Sequence, residues 1–332
     1  MKKKKVLITG AAGFIGSHLT DFLISKNDIS EIILIDNLED GTLKNLKNAI
    51  KSKKVKFYKK NIELFDQIKK LFKNIDVVFH LAALSDVVPS IENPRSYLNT
   101  NIMGTVNILE AMRENNVKKI IYAASSSCYG IPKKYPTDEN QKIDAKYPYS
   151  FSKNIGEQTI IHWSKVYNID YISLRLFNVY GTRSRTNSAY GAALGVFLKQ
   201  KLSGHPYTVI GNGKQKRDFV YIDDVVKAFY LSLNKTVKNK IINIGGGNPK
   251  SVLEMIRILK GKKIFIPKRP GEPDITYANI KNAKKYLKWK PKVSFEKGLE
   301  NVLRNIFYWN KSPLWTKNKI KKATKNWFKY LK

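Results

Sequence analysis

Cysteine is nearly absent from this 332-residue sequence: Cys128 is the one thiol. No disulfide can form within the chain, which excludes a disulfide-stapled scaffold and makes a reducing cytoplasm the natural expectation. Histidine is almost as scarce, with four residues. No His/Cys pair has metal-ligand spacing, so no metal is expected, and His80 reads as packed structure. Long apolar runs are also missing. None approaches the ~18 residues of a membrane span. The short stretch Val6–Thr9 behind the basic start leads into a glycine turn rather than a cleavage site, so no signal peptide is expected. Acidic residues number 26 against 61 Lys and Arg, a formal charge of +35. Such a balance raises a nucleic-acid binder as a rival, which predicts salt-sensitive DNA binding. Here the excess is mainly lysine spread along the chain, whereas base reading relies on arginine forks gathered on one face. The lysines are read as a solvated surface, with no nucleic-acid partner. Their field would draw in a small dianion.

What is present is a chain 42% hydrophobic, long enough for one large α/β domain with a smaller lobe. Short apolar runs at Val6–Thr9, Ile32–Ile35, Val55–Tyr58, Val77–Leu81 and Ile120–Ala124 predict buried strands. Helical spacing over Phe14–Ser25, Leu64–Phe72 and Pro94–Asn115 predicts helices between them. Repeated βαβ with continuously apolar strands implies a parallel sheet covered on both faces. Beyond residue 178 the pattern loosens. Thr182–Tyr190 reads as a loop and Gly195–Leu202 as a helix. Phe219–Tyr221 and Ile241–Ile244 read as strands returning to the first domain, and Lys262–Thr276 is rich in Pro and Gly. The expected organisation is a dinucleotide domain over 1–177, with strands from about 219–246 returning to it. Residues 178–332 would form mainly a discontinuous second lobe and a helical tail. In that tail Ile320, Ala323, Trp327 and Leu331 share helical spacing, predicting a helix docked on the core. Attachment to a membrane surface or partner is the alternative.

Gly10-Ala-Ala-Gly13-Phe-Ile-Gly16 lies between a predicted strand and helix. Gly10 permits a tight turn, Gly13 lets backbone approach a pyrophosphate, and Gly16 lets the helix pack close to the sheet. The pyrophosphate would face the positive helix N-terminus. Asp36 ends the next strand, where a carboxylate accepts from ribose hydroxyls and repels a 2′-phosphate. NAD is therefore expected over NADP. The fold expected is a Rossmann-type, doubly wound parallel sheet with a smaller lobe.

The G-x-x-G-x-x-G spacing resembles that of the short-chain dehydrogenase/reductase superfamily. Three further segments carry the resemblance along almost the whole chain: Ala124-Ser125-Ser126-Ser127-Cys128-Tyr129-Gly130, then Tyr149-Ser-Phe-Ser-Lys153 with Glu157, then Arg175-Leu-Phe-Asn178-Val-Tyr-Gly181. The branch resembled is the extended one, the NAD-dependent epimerases and dehydratases, and within it the UDP-sugar 4-epimerases. Independently of the name, Tyr149 and Lys153 stand one helical turn apart on one face. A free tyrosine titrates near 10, too high for a base at neutral pH, and a nearby cation plus a positive nicotinamide would favour the phenolate. A serine hydroxyl at a neighbouring strand end, Ser125 or alternatively Ser126, would share the sugar proton.

The resemblance implies further roles. Phe14, Ile15, Asn37 and Val179 would contact the cofactor, Asn61-Ile62 the adenine, and Leu81, Ala82 and Ala83 would form the strand end beside it. Asn101 would stand behind the nicotinamide. Asn178, Arg217 and Arg269 would hold a diphosphate, which suits planar guanidinium forks. Glu272 belongs to the same segment, and Tyr207–Val209 would run beside the uracil. Thr276 falls where a bulky residue narrows the sugar pocket in some relatives, so a small residue would admit an N-acetyl group.

The activity implied is C4 epimerisation of a nucleotide-linked sugar, UDP-glucose or UDP-GlcNAc. A homodimer through the helices near 94–115 and 150–167, and a place in surface polysaccharide or lipopolysaccharide synthesis, are implied likewise. The rivals are a 4,6-dehydratase or UDP-glucuronate decarboxylase of the same fold, and a non-catalytic dinucleotide sensor. Dehydratases carry Asp-Glu directly after the catalytic hydroxyl; here Ser126 and Ser127 stand there. Sensors often lack the Tyr/Lys pair.

Overall fold

The computed structural model describes residues 3–184 and 193–331. Its centre is a seven-stranded sheet: β1 (Lys4–Thr9), β2 (Ile29–Asp36), β3 (Val55–Lys59), β4 (Val77–His80), β5 (Lys119–Ser125), β6 (Asp170–Leu176) and, after intervening strands, β11 (Lys240–Ile244). The spatial order is β11-β6-β5-β4-β1-β2-β3, and every pairing is parallel. The apolar runs are continuous because both faces are covered. Val6 and Ile8 of β1 join one core layer while Leu7 joins the other. In β2, Ile32 and Leu34 divide from Ile33 and Ile35 in the same way, as the two-residue period of a strand requires.

Strand order reverses between β1 and β4, and the carboxyl ends beside such a switch point form a crevice for ligands. The helix Phe14–Ile24 starts at this point. The helix expected near 94–115 is present in three parts: Pro94–Leu98, a π-helical turn Asn99–Met103, and Gly104–Glu114. Pro148–Tyr167 is the longest helix. Proline at its first turn loses no hydrogen bond that the helix would have made. Ser150 Oγ donates to Tyr147 O and accepts from Tyr147 N, and Asn168 ends the helix in a left-handed conformation.

The second half differs in part from expectation. β11 does return to the main sheet, beside β6. Phe219–Tyr221 (β10) does not: it pairs with Asn178–Tyr180 (β7) in a separate two-stranded sheet. Tyr207–Ile210 (β8) pairs with Lys263–Ile266 (β13), a strand inside the Pro/Gly-rich segment. Lys216–Arg217 (β9) pairs antiparallel with Lys250–Ser251 (β12). The helix read as Gly195–Leu202 runs Ala193–Leu202. Of the loop read over Thr182–Tyr190, residues 185–190 lie outside the described residues. One apolar layer runs from Val6 through Val226 to Trp309, so the two halves share a core. The tail forms two short helices, Lys317–Ala323 and Lys325–Tyr330, with Ile320 and Trp327 buried against the body.

Candidate active site

A cavity of about 400 Å³ opens at the β1/β4 switch point. Its wall includes Gly10, Gly13, Phe14, Ile15, Gly16, Asp36, Asn37, Asn61, Ile62, Leu81, Ala82, Ala83, Ser125, Tyr149, Lys153 and Val179. Residues scattered from the first strand to β7 thus share one space, with the expected dinucleotide residues at one end and the expected chemistry at the other.

The glycine turn is tight. Gly10 has φ +67°, and a Cβ there would lie 2.7 Å from Ala82 N. A Cβ on Gly16 would collide with Gly10 O. The turn is tied to the acidic strand end: Asp36 Oδ2 accepts from Ala12 N at 2.9 Å and Oδ1 from Leu38 N at 2.8 Å. These bonds orient a carboxylate that is itself 7% exposed. A bare cradle of backbone with an oriented acid one strand away fits a dinucleotide's pyrophosphate and ribose. Asn61 Oδ1 accepts from Glu63 N at 3.0 Å, so this side chain also holds its own turn.

The opposite strand end is fixed by a buried relay. Thr9 Oγ1 accepts from Leu81 N and Ala82 N at 3.2 and 3.1 Å. It also meets His80 Nδ1 at 2.7 Å, while His80 Nε2 meets Thr105 Oγ1 at 2.9 Å. Thr105 already donates to Asn101 O, so Nε2 carries the ring proton and Nδ1 accepts from Thr9. Burial pushes the His80 pKa down to about 3. His80 is therefore a neutral structural link, and no metal-holding cluster exists among the described residues. Asn101 does not line the cavity. It stands one layer behind, gripping Leu84 through both backbone groups at 2.8 and 3.0 Å and donating to Ser152 Oγ at 2.9 Å. The π-helical turn around it supplies this inward-facing amide, a frequent use of such turns.

Tyr149 and Lys153 both face the cavity from the long helix, Tyr149 half-buried and Lys153 buried. Burial raises the Tyr149 pKa above its ordinary value, and the hydrogen bond with Ser125 acts against that rise. Burial likewise pushes Lys153 down to about 7, with Glu157 opposing. Its ammonium lies 4.1 Å from the centre of the Tyr122 ring. The sequence-based expectation is that Lys153 and a positive nicotinamide together favour the Tyr149 phenolate; in the protein alone burial dominates both groups. A positive ring bound beside them would supply the missing charge. Of the two candidate hydroxyls, Ser125 is the one whose interaction with Tyr149 works against the rise in the phenol's pKa, and it lines the cavity; Ser126 starts the 3₁₀ turn Ser126–Tyr129 and is not part of that wall. Ser125 Oγ also contacts Ser127 Oγ at 2.8 Å.

The residues expected to bind substrate gather less completely. Arg217 and Arg269 meet through Glu272, at 3.6 Å and 3.0 Å respectively. Arg217 also donates to Pro273 O at 2.8 Å. Asn178 Oδ1 accepts from Thr276 Oγ1 at 2.9 Å, and that hydroxyl accepts from Asp218 N at 3.0 Å. Thr276 thus holds Asn178 and is not part of the main cavity wall. The side chains of Tyr207 and Val209 are buried in the core, and the Tyr207 hydroxyl donates to Lys260 O; toward a ligand this strand offers backbone at most.

Sequence reasoning missed several wall residues: Asp40, Gly41, Leu84, Ser85, Asp86, Thr100, Phe177 and Ser184. Gly41 had a legible signal, a glycine soon after the acidic strand end. A Cβ there would lie 2.7 Å from Asp36 Oδ1.

A parallel sheet whose first crossover opens around a pyrophosphate-sized cradle defines the dinucleotide-binding class of α/β proteins. Within that class the chain belongs to the NAD dependent epimerase/dehydratase family, whose model matches residues 6–245. It is 39% identical over 306 residues to a putative UDP-glucose 4-epimerase of Methanocaldococcus jannaschii, covering 90% of this chain and 97% of the relative. Among solved structures it resembles the UDP-glucuronic acid 4-epimerase of Bacillus cereus in complex with UDP-glucuronic acid and NAD. The TM-score there is 0.85 at 34% identity, over 91% of this chain and 98% of that one. It also resembles the UDP-N-acetylglucosamine 4-epimerase of Methanobrevibacter ruminantium M1 in complex with UDP-N-acetylmuramic acid, with a TM-score of 0.86 at 33% identity over 92% and 98% of the two chains.

Proposed function

We propose that the chain is an NAD-dependent UDP-sugar 4-epimerase. The observation that carries this is the single cavity in which Tyr149, Lys153 and Ser125 face the same space as the Gly10–Gly16 turn and Asp36. In this proposal the glycine turn holds the pyrophosphate and Asp36 the adenosine ribose. Asn61 and Ile62 flank the adenine, while Leu81–Ala83, Lys153 and Val179 flank the nicotinamide end. Bound NAD supplies a reversible hydride acceptor at sugar C4. Tyr149 takes the proton from the 4-hydroxyl and returns it, with Ser125 bonding the same oxygen. Lys153 holds the nicotinamide ribose and adds positive charge beside the phenol. Asn178, Arg217 and Arg269 grip the nucleotide diphosphate, and Glu272 orients the two arginines between which it lies.

Elimination of water from a 4-keto sugar needs an acid for the leaving hydroxyl and a base for the neighbouring carbon. Ser126 and Ser127 supply neither, which supports epimerisation over dehydration. The relatives act on glucose, glucuronate and N-acetylglucosamine forms of UDP-sugar, so the sugar is the open choice within the class. Exposed Met103, Phe151, Val166 and Tyr167 on the two long helices support a homodimer through those faces. The buried free thiol of Cys128 supports a reducing compartment, and no described helix is long and apolar enough to cross a membrane.

The test is to incubate purified enzyme with a panel of UDP-, dTDP- and GDP-sugars and resolve products by NMR. A C4-inverted UDP-sugar is expected, and Tyr149→Phe should abolish its formation while NAD stays bound. A 4-keto-6-deoxy product, or near-normal turnover by Tyr149→Phe, would sink the assignment.

A further inference from the structure

We propose that Trp327, in the C-terminal tail, is a positioning residue for nucleotide-diphosphate binding, acting through the Arg269–Glu272 loop. The inference rests on the diphosphate grip proposed above. Trp327 is 1% exposed, although only five residues follow it in this sequence and it sits in the short helix Lys325–Tyr330. Its indole Nε1 donates to Pro270 O at 2.8 Å. Pro270 follows Arg269 directly, so the bond pins the backbone that carries this arginine and, two residues on, Glu272. Its ring meets that of Tyr147 with centroids 5.8 Å apart and planes at 45°. Tyr147 precedes the helix bearing Tyr149 and lies within electrostatic reach of Glu272 and Arg217. The tail helix packs against Val87–Glu92, which follows cavity residues Ser85 and Asp86.

One side chain thus joins the segment with the guanidinium to the residue that caps the catalytic helix, while its own helix packs on Val87–Glu92. Glycine at 271, with φ +72° and open space about it, gives the loop little stiffness of its own. The tail reaches this place by further ties. Ile320 packs with Ile266 and Ile210 of the β8/β13 pair, and Trp315 O accepts from Gln200 Nε2 at 2.7 Å. A loop held by an indole from outside binds a diphosphate without first losing its own freedom, which is how preorganisation raises affinity.

The experiment titrates UDP into NAD-loaded enzyme by calorimetry for wild type, Trp327→Phe, Arg269→Gln and the double variant, with steady-state kinetics alongside. Trp327→Phe keeps an aromatic ring and loses the N–H. It should raise the UDP Kd and the UDP-sugar KM about fivefold, the worth of one neutral hydrogen bond, with kcat and NAD content retained. In the Arg269→Gln background the same change should add little, because the two act through one loop. An unchanged Kd, or the same factor in both backgrounds, overturns the proposal. Should Trp327→Phe not fold, hydrogen exchange on the intact chain decides. Binding linkage is reciprocal, so UDP should slow exchange of the Phe328 and Leu331 amides, which bond Thr324 O and Trp327 O; unaltered exchange overturns it. Wild-type enzyme that binds no UDP fails the diphosphate reading itself. Wild type that binds UDP as tightly as Trp327→Phe fails only the tail's role.

Discussion

Replacing Glu157 by Gln tests whether the catalytic helix is bolted to the sheet by charge. Glu157 and Arg175 have side chains 2% and 3% exposed. The carboxylate accepts from Arg175 Nη2 at 2.5 Å, from Arg175 Nε at 3.1 Å and from Ser173 Oγ at 2.6 Å. The remaining guanidinium nitrogen donates to the Tyr129 hydroxyl at 2.9 Å and Glu139 O at 3.2 Å. Burial works against the Arg175 charge, and the bonds to Glu157 more than offset it, leaving the guanidinium above its ordinary value. Glutamine keeps the shape, removes the charge and turns an amide donor toward donors. Stranding one partner of a buried pair costs about 3–5 kcal/mol. With an unfolding entropy of about 0.7 kcal/mol/K for this length, the melting temperature should fall by about 4–7 °C. Arg175→Met should cost as much. The double change Glu157→Leu with Arg175→Met should lose less than either single one, because it strands no charge. Glu157 also supports the charge of Lys153 one turn away, so Glu157→Gln should leave less of that ammonium charged at neutral pH and slow turnover in molecules still folded. The assay is urea and thermal unfolding at pH 7 of wild type, Glu157→Gln, Glu157→Leu, Arg175→Met and the double variant. Single variants within about 1 kcal/mol of wild type, or losses that simply add, would refute the buried-pair account.

Acid should destabilise the protein through His80. Its folded pKa of about 3 lies below the unfolded 6.5, so stability is lost as pH falls from 6.5 toward 3, reaching about 2 kcal/mol at pH 5; His80→Leu, whatever its baseline, should lack this component in urea melts run from pH 7.5 to 5. Asp36→Asn should weaken NAD binding about tenfold, the worth of a charge-assisted hydrogen bond, and should admit NADP; fluorescence titration showing unaltered preference would count against the ribose role. Thr276→Val should raise the KM for every UDP-sugar by a similar factor, because it frees Asn178; a selective effect on N-acetylated sugars would restore Thr276 to the sugar pocket.

Much of the nucleotide end was legible because local patterns specify it. A strand buried on both faces must be continuously apolar, as β1 and β2 are, and the turn between strand and helix must be glycine where φ is +67° at Gly10. Tyr149, Lys153 and Glu157 recur every fourth residue, so a helix alone aligns them. The second half was less legible because its pairings are long-range and short. Phe219–Tyr221 has the composition of a core strand, yet three residues do not say which strand they join; Asn178 N bonding to Asp218 O settles it. Trp327 looked like one point on a docked helix stripe. That its indole would end at Pro270 follows from no periodicity.

On the proposed assignment, the distribution of polar grips explains why one scaffold tolerates several sugars. The groups assigned to the diphosphate come from β7, β9 and the 269–272 loop, outside the seven-stranded sheet. The groups assigned to proton transfer, Tyr149 and Ser125, belong to the sheet and the helix upon it. The same cavity wall carries apolar Leu84 and Phe177 beside polar Ser85 and Asp86. Epimerisation requires that a sugar ring present either face to one hydride acceptor. A site that held the ring by many directional hydrogen bonds would oppose that turn, whereas anchoring the diphosphate leaves the ring to rotate about its linkage. Charge-assisted bonds from Arg217 and Arg269 then supply affinity without fixing the ring. Discrimination falls to the few residues near C5 and C2, where volume excludes and hydrogen bonds select only modestly. Changing the sugar should thus require few substitutions, around Leu84–Asp86 and Phe177, while loss of either arginine should affect every UDP-sugar alike.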